Sequence, residues 1–204
     1  MDAAIAIVAS YLIGSIPTAY IVGRLRKGID IRRVGSRNMG AINTTYQIGL
    51  AEGIFVLSVD IAKGMIGVWL ARWLGVSLTL QLLAGATVVM GHAFPVFLGF
   101  RGGKGGASCI GVLAYLMPLG VPFYIGIFLM ALLISRYLTF SYSVAFLCYP
   151  FVGWLRYDSA TLVVFSILLL LLPAIMYLPR VKEMHAAAGN WRRVVFRSSL
   201  RERL

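Results

Sequence analysis

The sequence predicts an all-α integral membrane protein with seven transmembrane helices, its N-terminus outside and its C-terminus cytoplasmic. The 204-residue chain is 60% hydrophobic and only 13% charged, with a mean hydropathy of +0.86, which is unlike a water-soluble domain. Its apolar stretches approach the roughly 20 residues that a helix needs to cross a bilayer. Its lysines and arginines gather in the segments between alternate stretches.

Seven apolar stretches, separated by short polar breaks, are the predicted spans. In chain order they are Ala3 to Gly23, Leu50 to Trp73, Leu78 to Phe100, Ala107 to Met117, Val121 to Ser135, Leu138 to Leu155 and Thr161 to Leu178. The fourth and fifth are short for a bilayer core about 30 Å thick, so one re-entrant hairpin is the alternative for this pair. Pro118 and Pro122 flank the break between them, which favours two helices joined by a tight turn.

The cationic residues indicate how the spans are oriented. Of the nineteen lysines and arginines, seven spans place sixteen on one side and only Arg72 and Arg156 on the other, while Lys63 lies within a span. The positive-inside rule makes the richer side cytoplasmic. Asp2 precedes the first span and no basic segment does, so we expect no cleaved signal peptide. Because topology accounts for the charge, nucleic-acid binding is not predicted.

We predict a single polytopic membrane domain over residues 1–204, because only the loop from Arg24 to Gly49 and the tail from Pro179 are long polar segments. Cys109 and Cys148 lie within apolar spans and are predicted core residues, not a disulfide or a metal pair. The basic tail from Arg180 to Leu204 contains interspersed apolar residues. It is typical of an amphipathic helix beside anionic lipid, or of a topology anchor.

A glycine-rich segment links the third span to the fourth. Its candidates are Gly102, Gly103, Lys104, Gly105, Gly106 and Ser108. Glycine backbones can turn successive N–H groups toward an oxyanion, the helix start adds partial positive charge, and Lys104 adds a full charge. The spacing is not that of a Walker A loop. The segment therefore predicts a phosphate site, with a flexible turn anchored by its lysine as the alternative.

Three ionisable residues lie at membrane depth, where such residues are costly and are therefore candidates for a structural or functional role. His92, near the cytoplasmic end of the third span, is a candidate for catalysis or for a hydrogen bond to a carbonyl group freed by Pro95. Asp60 and Lys63 share one face of the second span. They are expected to form a mutual ion pair that holds helices together or to have a functional role, with Lys63 also able to reach a ligand phosphate.

The first loop and the tail hold the remaining candidates. Ser36, Arg37, Asn38 and Asn43 alternate with glycines, and an anionic, hydroxyl-bearing ligand would satisfy them; a simple linker is the alternative. In the tail, His185 is a candidate for moving protons or binding phosphate, with a merely solvated side chain as the alternative.

These residues resemble the bacterial acyl-phosphate glycerol-3-phosphate acyltransferases of the PlsY type over almost the whole chain. The matching segments are Tyr11 to Pro17, Asp60 to Gly64 and, most specifically, Gly91 to Phe97 with Gly102 to Gly105.

The chain also departs from the family pattern. In the first loop Arg37 replaces a glycine, Ile42 replaces a threonine, and Tyr46 stands where an arginine is common. In the tail, four residues separate His185 from Asn190, where the family usually has two.

The resemblance implies transfer of a fatty acyl group from acyl phosphate to the 1-hydroxyl of glycerol 3-phosphate, at the cytoplasmic face of the bacterial inner membrane. It implies that the glycine segment with Lys104 and Ser108 holds acyl phosphate, and that Ser36, Arg37, Asn43 and Lys63 hold glycerol 3-phosphate. Asn38 and Asn190 are further substrate-binding candidates. The base is left open among His185, His92 and a substrate phosphate oxygen. We expect direct transfer without an acyl-enzyme, and neither a metal nor a cofactor.

Two other functions fit parts of the sequence. A transporter of an anionic phosphorylated metabolite would also use seven spans and ionisable residues within them, but transporters usually bind near the midplane. A basic membrane scaffold would explain the charge and not the glycines. Because the polar glycine-rich segments lie on one side, an interfacial enzyme whose partners are its two substrates and membrane lipid is favoured. The sequence does not predict the oligomeric state.

Overall fold

The computed structural model describes residues 1–199, and all regular structure in that range is helical. The α-helices are α1 (Asp2–Ser15), α2 (Thr18–Lys27), α3 (Ala41–Gln47), α4 (Leu50–Trp73), α5 (Leu78–Ala93), α6 (Gly106–Leu116), α7 (Gly120–Ser135), α8 (Leu138–Ala145), α9 (Cys148–Leu155), α10 (Ala160–Ala188) and α11 (Trp191–Val195). Short 3₁₀ turns lie at Ile31–Arg33 and Val96–Leu98. The chain forms two compact units, and the second begins at Met117.

Five helical segments within residues 1–199 are long and apolar enough to cross a bilayer. They are Asp2–Lys27, Leu50–Trp73, Leu78–Leu98, Leu138–Leu155 and Ala160–Ala188. Helices α6 and α7 are apolar but shorter, with 11 and 16 residues. The all-helical membrane class predicted from composition is confirmed, whereas crossing of the bilayer by α6 and α7 stays a prediction.

The first predicted span is interrupted at Pro17. Proline has no N–H and restricts the preceding residue, so Ile16 adopts extended backbone (φ −59°, ψ 115°) between α1 and α2. The carbonyl oxygen of Ile16 therefore loses its regular helical partner. The backbone N–H of Thr18 donates to it at 3.0 Å, and Lys63 supplies a second donor.

Two more predicted spans contain breaks. Helix α5 ends at Ala93, shortly before Pro95, and the Tyr11 hydroxyl donates to the Phe94 carbonyl oxygen at 2.7 Å. The sixth span divides into α8 and α9 around Phe146, four residues before Pro150, whose ring and missing N–H exclude the regular helical bond to the Phe146 carbonyl oxygen. Both segments still have the length of a span, because α5 continues into a 3₁₀ turn and α9 follows α8 closely.

The prediction of one surface helix from Arg180 to Leu204 is wrong over its described part. Helix α10 continues to Ala188, and Gly189 ends it in the left-handed conformation (φ 74°). A separate five-residue helix, α11, follows. Residues 200–204, the last part of that prediction, lie outside the described residues.

Glycines bring the helices of the first unit into backbone contact. A Cβ atom on Gly14 of α1 would overlap the backbone of α5, and one on Gly91 of α5 would overlap the backbone of α1. Likewise, a Cβ atom on Gly64 of α4 would overlap the backbone of α6, and one on Gly111 of α6 would overlap the backbone of α4. Close approach through small residues is a common basis of helix association in membranes. It fixes α1, α4, α5 and α6 as the frame of the site.

The second unit packs α7 against α8 and α9, and α10 against α9 and α11. Tyr149 is fully buried beside Gly120, and the short helix α11 docks through Val194 onto Met184 and Ala188. Cys148 is buried in this unit, as Cys109 is in the first, in agreement with the prediction that both are core residues.

Candidate active site

The glycine loop, residues 102–106, folds back on the end of α5. The Gly102 N–H donates to the Ala93 carbonyl oxygen at 3.1 Å, and the Gly103 N–H donates to the His92 carbonyl oxygen at 3.0 Å. These bonds run between the outgoing helix end and the returning loop. The loop therefore has a defined backbone path, and the alternative of an unrestrained turn is disfavoured.

Glycine is required in this loop for two different reasons. A Cβ atom on Gly103 would overlap Nε2 of His92 and the carbonyl oxygen of Met39. Gly105 has a φ of +83°, which L side chains rarely adopt. Helix α6 begins immediately afterwards at Gly106. The backbone reversal thus ends at a helix start, the arrangement that favours oxyanions.

Lys104 and Ser108 differ in accessibility. Lys104 is half-buried within the loop. Ser108 is fully buried, and its carbonyl oxygen lies against Gly64 of α4. Within residues 1–199 its hydroxyl has no hydrogen-bond partner. A direct catalytic role for Ser108 stays a prediction, and its enclosure disfavours that role, whereas Lys104 is accessible to a ligand.

Asn43 organises the first loop. Its side-chain oxygen accepts from the Ser36 N–H at 3.1 Å. Its amide nitrogen donates to the carbonyl oxygens of Ile31, Val34 and Asn38 at 3.0, 3.1 and 3.0 Å. The side chain is 2% exposed. Because both ends of its amide are engaged by the loop backbone, Asn43 holds the loop in shape.

The first loop meets the glycine loop at Met39. The side chain of Met39 is buried, and its carbonyl oxygen lies beside Gly103. Ser36 and Arg37 are exposed, Asn38 is half-buried, and Arg37 has a left-handed backbone (φ 58°). Two segments that the sequence predicts separately as phosphate-binding are therefore neighbours in the first unit.

Asp60, Lys63 and His92 form a buried cluster beneath the glycine loop, with exposures of 1%, 3% and 4%. Lys63 Nζ lies 2.7 Å from Asp60 Oδ1 and donates to the Ile16 carbonyl oxygen at 2.5 Å. His92 Nδ1 is 3.8 Å from the same carboxylate oxygen. The predicted ion pair is present, and the Lys63 ammonium contacts protein groups on both sides.

Asp30 and Arg32 brace the first loop, a role that sequence reasoning missed. Arg32 donates through Nε and Nη2 to the two Asp30 carboxylate oxygens at 3.0 and 2.9 Å, and through Nη1 to the Leu98 carbonyl oxygen at 3.3 Å. The Arg32 guanidinium lowers the pKa of Asp30 below its ordinary value of 3.8, chiefly by these side-chain hydrogen bonds. The i,i+2 spacing of Asp30 and Arg32 was the available signal.

The tail candidates lie in the second unit. The His185 ring packs on Trp191, with 4.2 Å between ring centroids. Asn190 caps α11, because its side-chain oxygen accepts from the Arg193 N–H at 2.9 Å. Roles for His185 and Asn190 toward substrate stay predictions. The first loop, the glycine loop, Lys63 and His92 are the predicted candidates that the structure brings together.

The chain is similar to known proteins over most of its length. The profile of the family described as glycerol-3-phosphate acyltransferase matches residues 4–186. Glycerol-3-phosphate acyltransferase 2 of Dehalococcoides mccartyi is 50% identical over 202 residues, covering 98% of this chain and 96% of that protein. The protein of the same description from Moorella thermoacetica is 38% identical over 186 residues, covering 91% and 95%.

The fold is also similar to a solved structure. The crystal structure of PlsY, an integral membrane glycerol 3-phosphate acyltransferase, superposes in its glycerol 3-phosphate form with a TM-score of 0.83 and 29% identity, covering 93% of this chain and 94% of that one. Its lysophosphatidic acid form gives a TM-score of 0.81 with 28% identity, covering 93% of both chains. This chain therefore belongs to the glycerol-3-phosphate acyltransferase family.

Proposed function

We propose that this chain transfers a fatty acyl group from acyl phosphate to the 1-hydroxyl of glycerol 3-phosphate, producing lysophosphatidate and inorganic phosphate. The observation that carries the proposal is the contact between the first loop and the glycine loop at Met39 and Gly103. Each loop carries a cation suited to a phosphate group, Arg37 in the first loop and Lys104 in the glycine loop. A reaction between two phosphate-bearing substrates needs two such anion sites side by side.

The similar proteins support the same chemistry. The relatives carry the name glycerol-3-phosphate acyltransferase, and the similar crystal structures are glycerol 3-phosphate and lysophosphatidic acid forms of PlsY. These are an acyl acceptor and its acylated product. Acyl phosphate as donor is the further step that we propose for this chain.

The chemistry requires little beyond positioning and charge neutralisation, because an acyl phosphate is already activated. The acceptor hydroxyl oxygen bonds to the acyl carbon while the bond from that carbon to the phosphate oxygen breaks. Phosphate leaves with the electron pair, and the hydroxyl proton passes to a base. In our assignment Lys104 and the glycine loop stabilise the departing phosphate, while Ser36 and Arg37 bind glycerol 3-phosphate, with Asn38 beside them.

Several predicted ligands are assigned other roles by their surroundings. Asn43 and Lys63 are engaged by protein groups, so we assign them to positioning. His92 is enclosed, which favours a substrate phosphate oxygen as the proton acceptor, while the role of His185 stays a prediction. Ser108 is enclosed as well, which supports direct transfer without an acyl-enzyme.

We place the chain in the bacterial cytoplasmic membrane, with seven crossings, an outside N-terminus and a cytoplasmic active site. In the second unit the Leu119 N–H donates to the Tyr157 hydroxyl at 3.3 Å, so the turn before α7 and the turn before α10 lie at the same end of this unit. The Arg197 N–H donates to the Ser135 carbonyl oxygen at 2.8 Å, which joins the tail to the turn after α7. Seven crossings would put the two turns of each contact on the same side of the bilayer, so both contacts support this topology.

The activity is tested with purified protein, glycerol 3-phosphate and either palmitoyl phosphate or palmitoyl-CoA. We expect lysophosphatidate and phosphate from palmitoyl phosphate only. Product from palmitoyl-CoA alone would contradict the donor assignment, and absence of product from both would refute the acyltransferase. Flux of labelled glycerol 3-phosphate into sealed vesicles without an acyl donor would instead favour a transporter.

The glycine-loop assignment is tested by Lys104→Ala. Loss of the ammonium should abolish measurable product formation while the protein still inserts, because the developing phosphate charge loses its cation. Lys182→Ala, which removes an exposed lysine from α10, serves as the matched control and should retain activity. Full activity of Lys104→Ala would remove Lys104 from the mechanism.

A further inference from the structure

Asp60 is a buried carboxylate to which the reaction assigns no step. It lies on α4 with 1% of its surface exposed. A buried charge is costly unless nearby groups compensate it, and an ion pair is often replaceable by apolar residues without loss of stability. Stability alone is therefore a weak reason for placing an aspartate at this depth.

One carboxylate oxygen of Asp60 connects two other segments to α4. Lys63 Nζ is 2.7 Å from Oδ1 and also donates to the Ile16 carbonyl oxygen, which the break before α2 leaves open. Asp60 thereby fixes the ammonium that fills the break.

The same oxygen lies 3.8 Å from Nδ1 of His92 on α5, which is beyond hydrogen-bond distance, so the carboxylate acts on the imidazole through its charge. Within residues 1–199 this Nδ1 has no hydrogen-bond partner. The opposite side of the imidazole lies against the glycine loop, since a Cβ on Gly103 would overlap Nε2. The His92 carbonyl oxygen also accepts the Gly103 N–H at 3.0 Å. The imidazole is thus enclosed between the Asp60 carboxylate and the loop that carries Lys104.

We propose that Asp60 is a positioning residue, which sets the glycine loop through His92. The inference rests on the proposed function, because the loop is taken to stabilise the departing phosphate. A carboxylate oxygen at position 60 orients the imidazole, and the imidazole determines where Gly103 and the adjacent Lys104 lie. Displacement of a catalytic group by about 1 Å costs on the order of 10²-fold in rate. Asp60 therefore acts on the chemical step without touching substrate.

Two double variants separate positioning from ion-pair stability. Single removal of either charge would leave its partner buried and unpaired, so both charges are removed together. Asp60→Leu/Lys63→Met has no polar oxygen at position 60, whereas Asp60→Asn/Lys63→Met keeps an amide oxygen there. We expect both to fold with thermal stability near that of the wild type. We expect kcat of the leucine variant to fall about 10²-fold with little change in KM for glycerol 3-phosphate, and the asparagine variant to recover about tenfold.

The matched control is Arg26→Gln/Glu52→Gln, which removes a more accessible pair of similar length (2.8 Å against 2.7 Å) between α2 and α4. It should keep wild-type kcat. Wild-type kcat in Asp60→Leu/Lys63→Met would overturn the inference, and so would equal loss in both position-60 variants.

A second measurement does not depend on activity. Hydrogen exchange of the Gly102 and Gly103 amides should be faster in the leucine variant than in the wild type, because their bonds to the end of α5 are loosened. Unchanged exchange would overturn the inference even if the wild type made no product. Failure of the wild type with both acyl donors would by contrast refute the proposed function alone.

Discussion

Arg37 combines an unfavourable backbone with an exposed side chain. Its φ of 58° is a conformation that glycine adopts freely and that costs other residues about 1–2 kcal/mol. The side chain does not repay that cost by burial, since it is exposed on the first loop. Strain at an exposed cation beside a glycine-rich loop is the pattern of a functional position. We therefore expect the guanidinium group of Arg37 to have a functional role.

Arg37→Gly separates backbone conformation from charge. We expect the free energy of unfolding to stay within about 1 kcal/mol of wild type, because relief of strain offsets the greater freedom of glycine in the unfolded chain. KM for glycerol 3-phosphate should rise about tenfold or more through loss of a charged hydrogen bond. Arg136→Gly, at another left-handed arginine (φ 52°), is the control and should leave KM unchanged. Equal KM values in both variants would contradict a ligand role for Arg37.

Asp30 gives the first loop an acid-sensitive contact. Its pKa lies below 3.8 in the folded protein because the Arg32 guanidinium hydrogen-bonds its carboxylate. A lowered folded-state pKa means that the ionised group stabilises the fold above pH 3.8, and that this contribution is lost as the pH falls through the folded-state value.

Asp30→Asn should therefore lower the free energy of unfolding by about 1 kcal/mol at neutral pH. The gap between variant and wild type should close as the pH falls below 3.8. Thermal unfolding in detergent across that pH range measures the difference. A gap that does not change with pH would contradict the assignment of Asp30 as the titrating group.

Side-chain roles were the least predictable part of the site. The sequence indicates which residues suit phosphate, but not which of them the protein uses internally. Asn43 looks like a ligand and is engaged by four backbone groups, and Arg32 looks like a topology signal and binds Asp30 and Leu98. Most of these partners are backbone groups that meet only when the loop folds, and Leu98 comes from a distant segment, so composition does not reveal them.

At the scale of the helices, hydropathy predicts where the helical segments lie, but it predicts the breaks within them only in part. The interruption before α2 has a local cause in Pro17, and the end of α5 has one in Pro95. The division between α8 and α9 has one in Pro150, which lies four residues after Phe146. Helix α10, by contrast, continues through Pro173 and Pro179 and so overrides the usual effect of proline.

Contact between α1 and α5 depends on glycine at the crossing. Gly91→Ala should lower the free energy of unfolding by about 1–3 kcal/mol, because the new Cβ would overlap the Tyr11 carbonyl oxygen. Gly126→Ala, where a Cβ meets nothing within 4 Å, is the matched control and should be neutral or stabilising. Thermal unfolding of the purified proteins measures both. Equal stability of the two variants would show that α1 and α5 separate at no cost.

For the whole molecule, the open question is the path of the chain across the bilayer. Cationic residues predict orientation, while α6 and α7 are short enough to form a re-entrant hairpin instead of two crossings. The hydrogen bond between Leu119 and Tyr157 supports two crossings, because it joins the turn between these helices to the turn before α10.

Cysteine labelling with a membrane-impermeant maleimide tests that path in a protein whose Cys109 and Cys148 are replaced by alanine. Leu119→Cys should react from outside the cell, because seven crossings expose this turn there. Arg33→Cys should react only after the membrane is permeabilised. If α6 and α7 form a re-entrant hairpin, Leu119→Cys should not be labelled from outside. Labelling of Arg33→Cys in intact cells would show that the orientation is the opposite of the predicted one.

The four hydrogen bonds of Asn43 have a thermodynamic consequence. They order the first loop when the chain folds, so the conformational entropy of that segment is already lost before any ligand arrives. A phosphorylated ligand would then meet a rigid arrangement and would spend little of its binding free energy on ordering protein. The folded protein has therefore already ordered the loop that the ligand binds. If the hydrogen bonds of Asn43 were weakened, we expect the entropy of ligand binding to become less favourable before other binding quantities change.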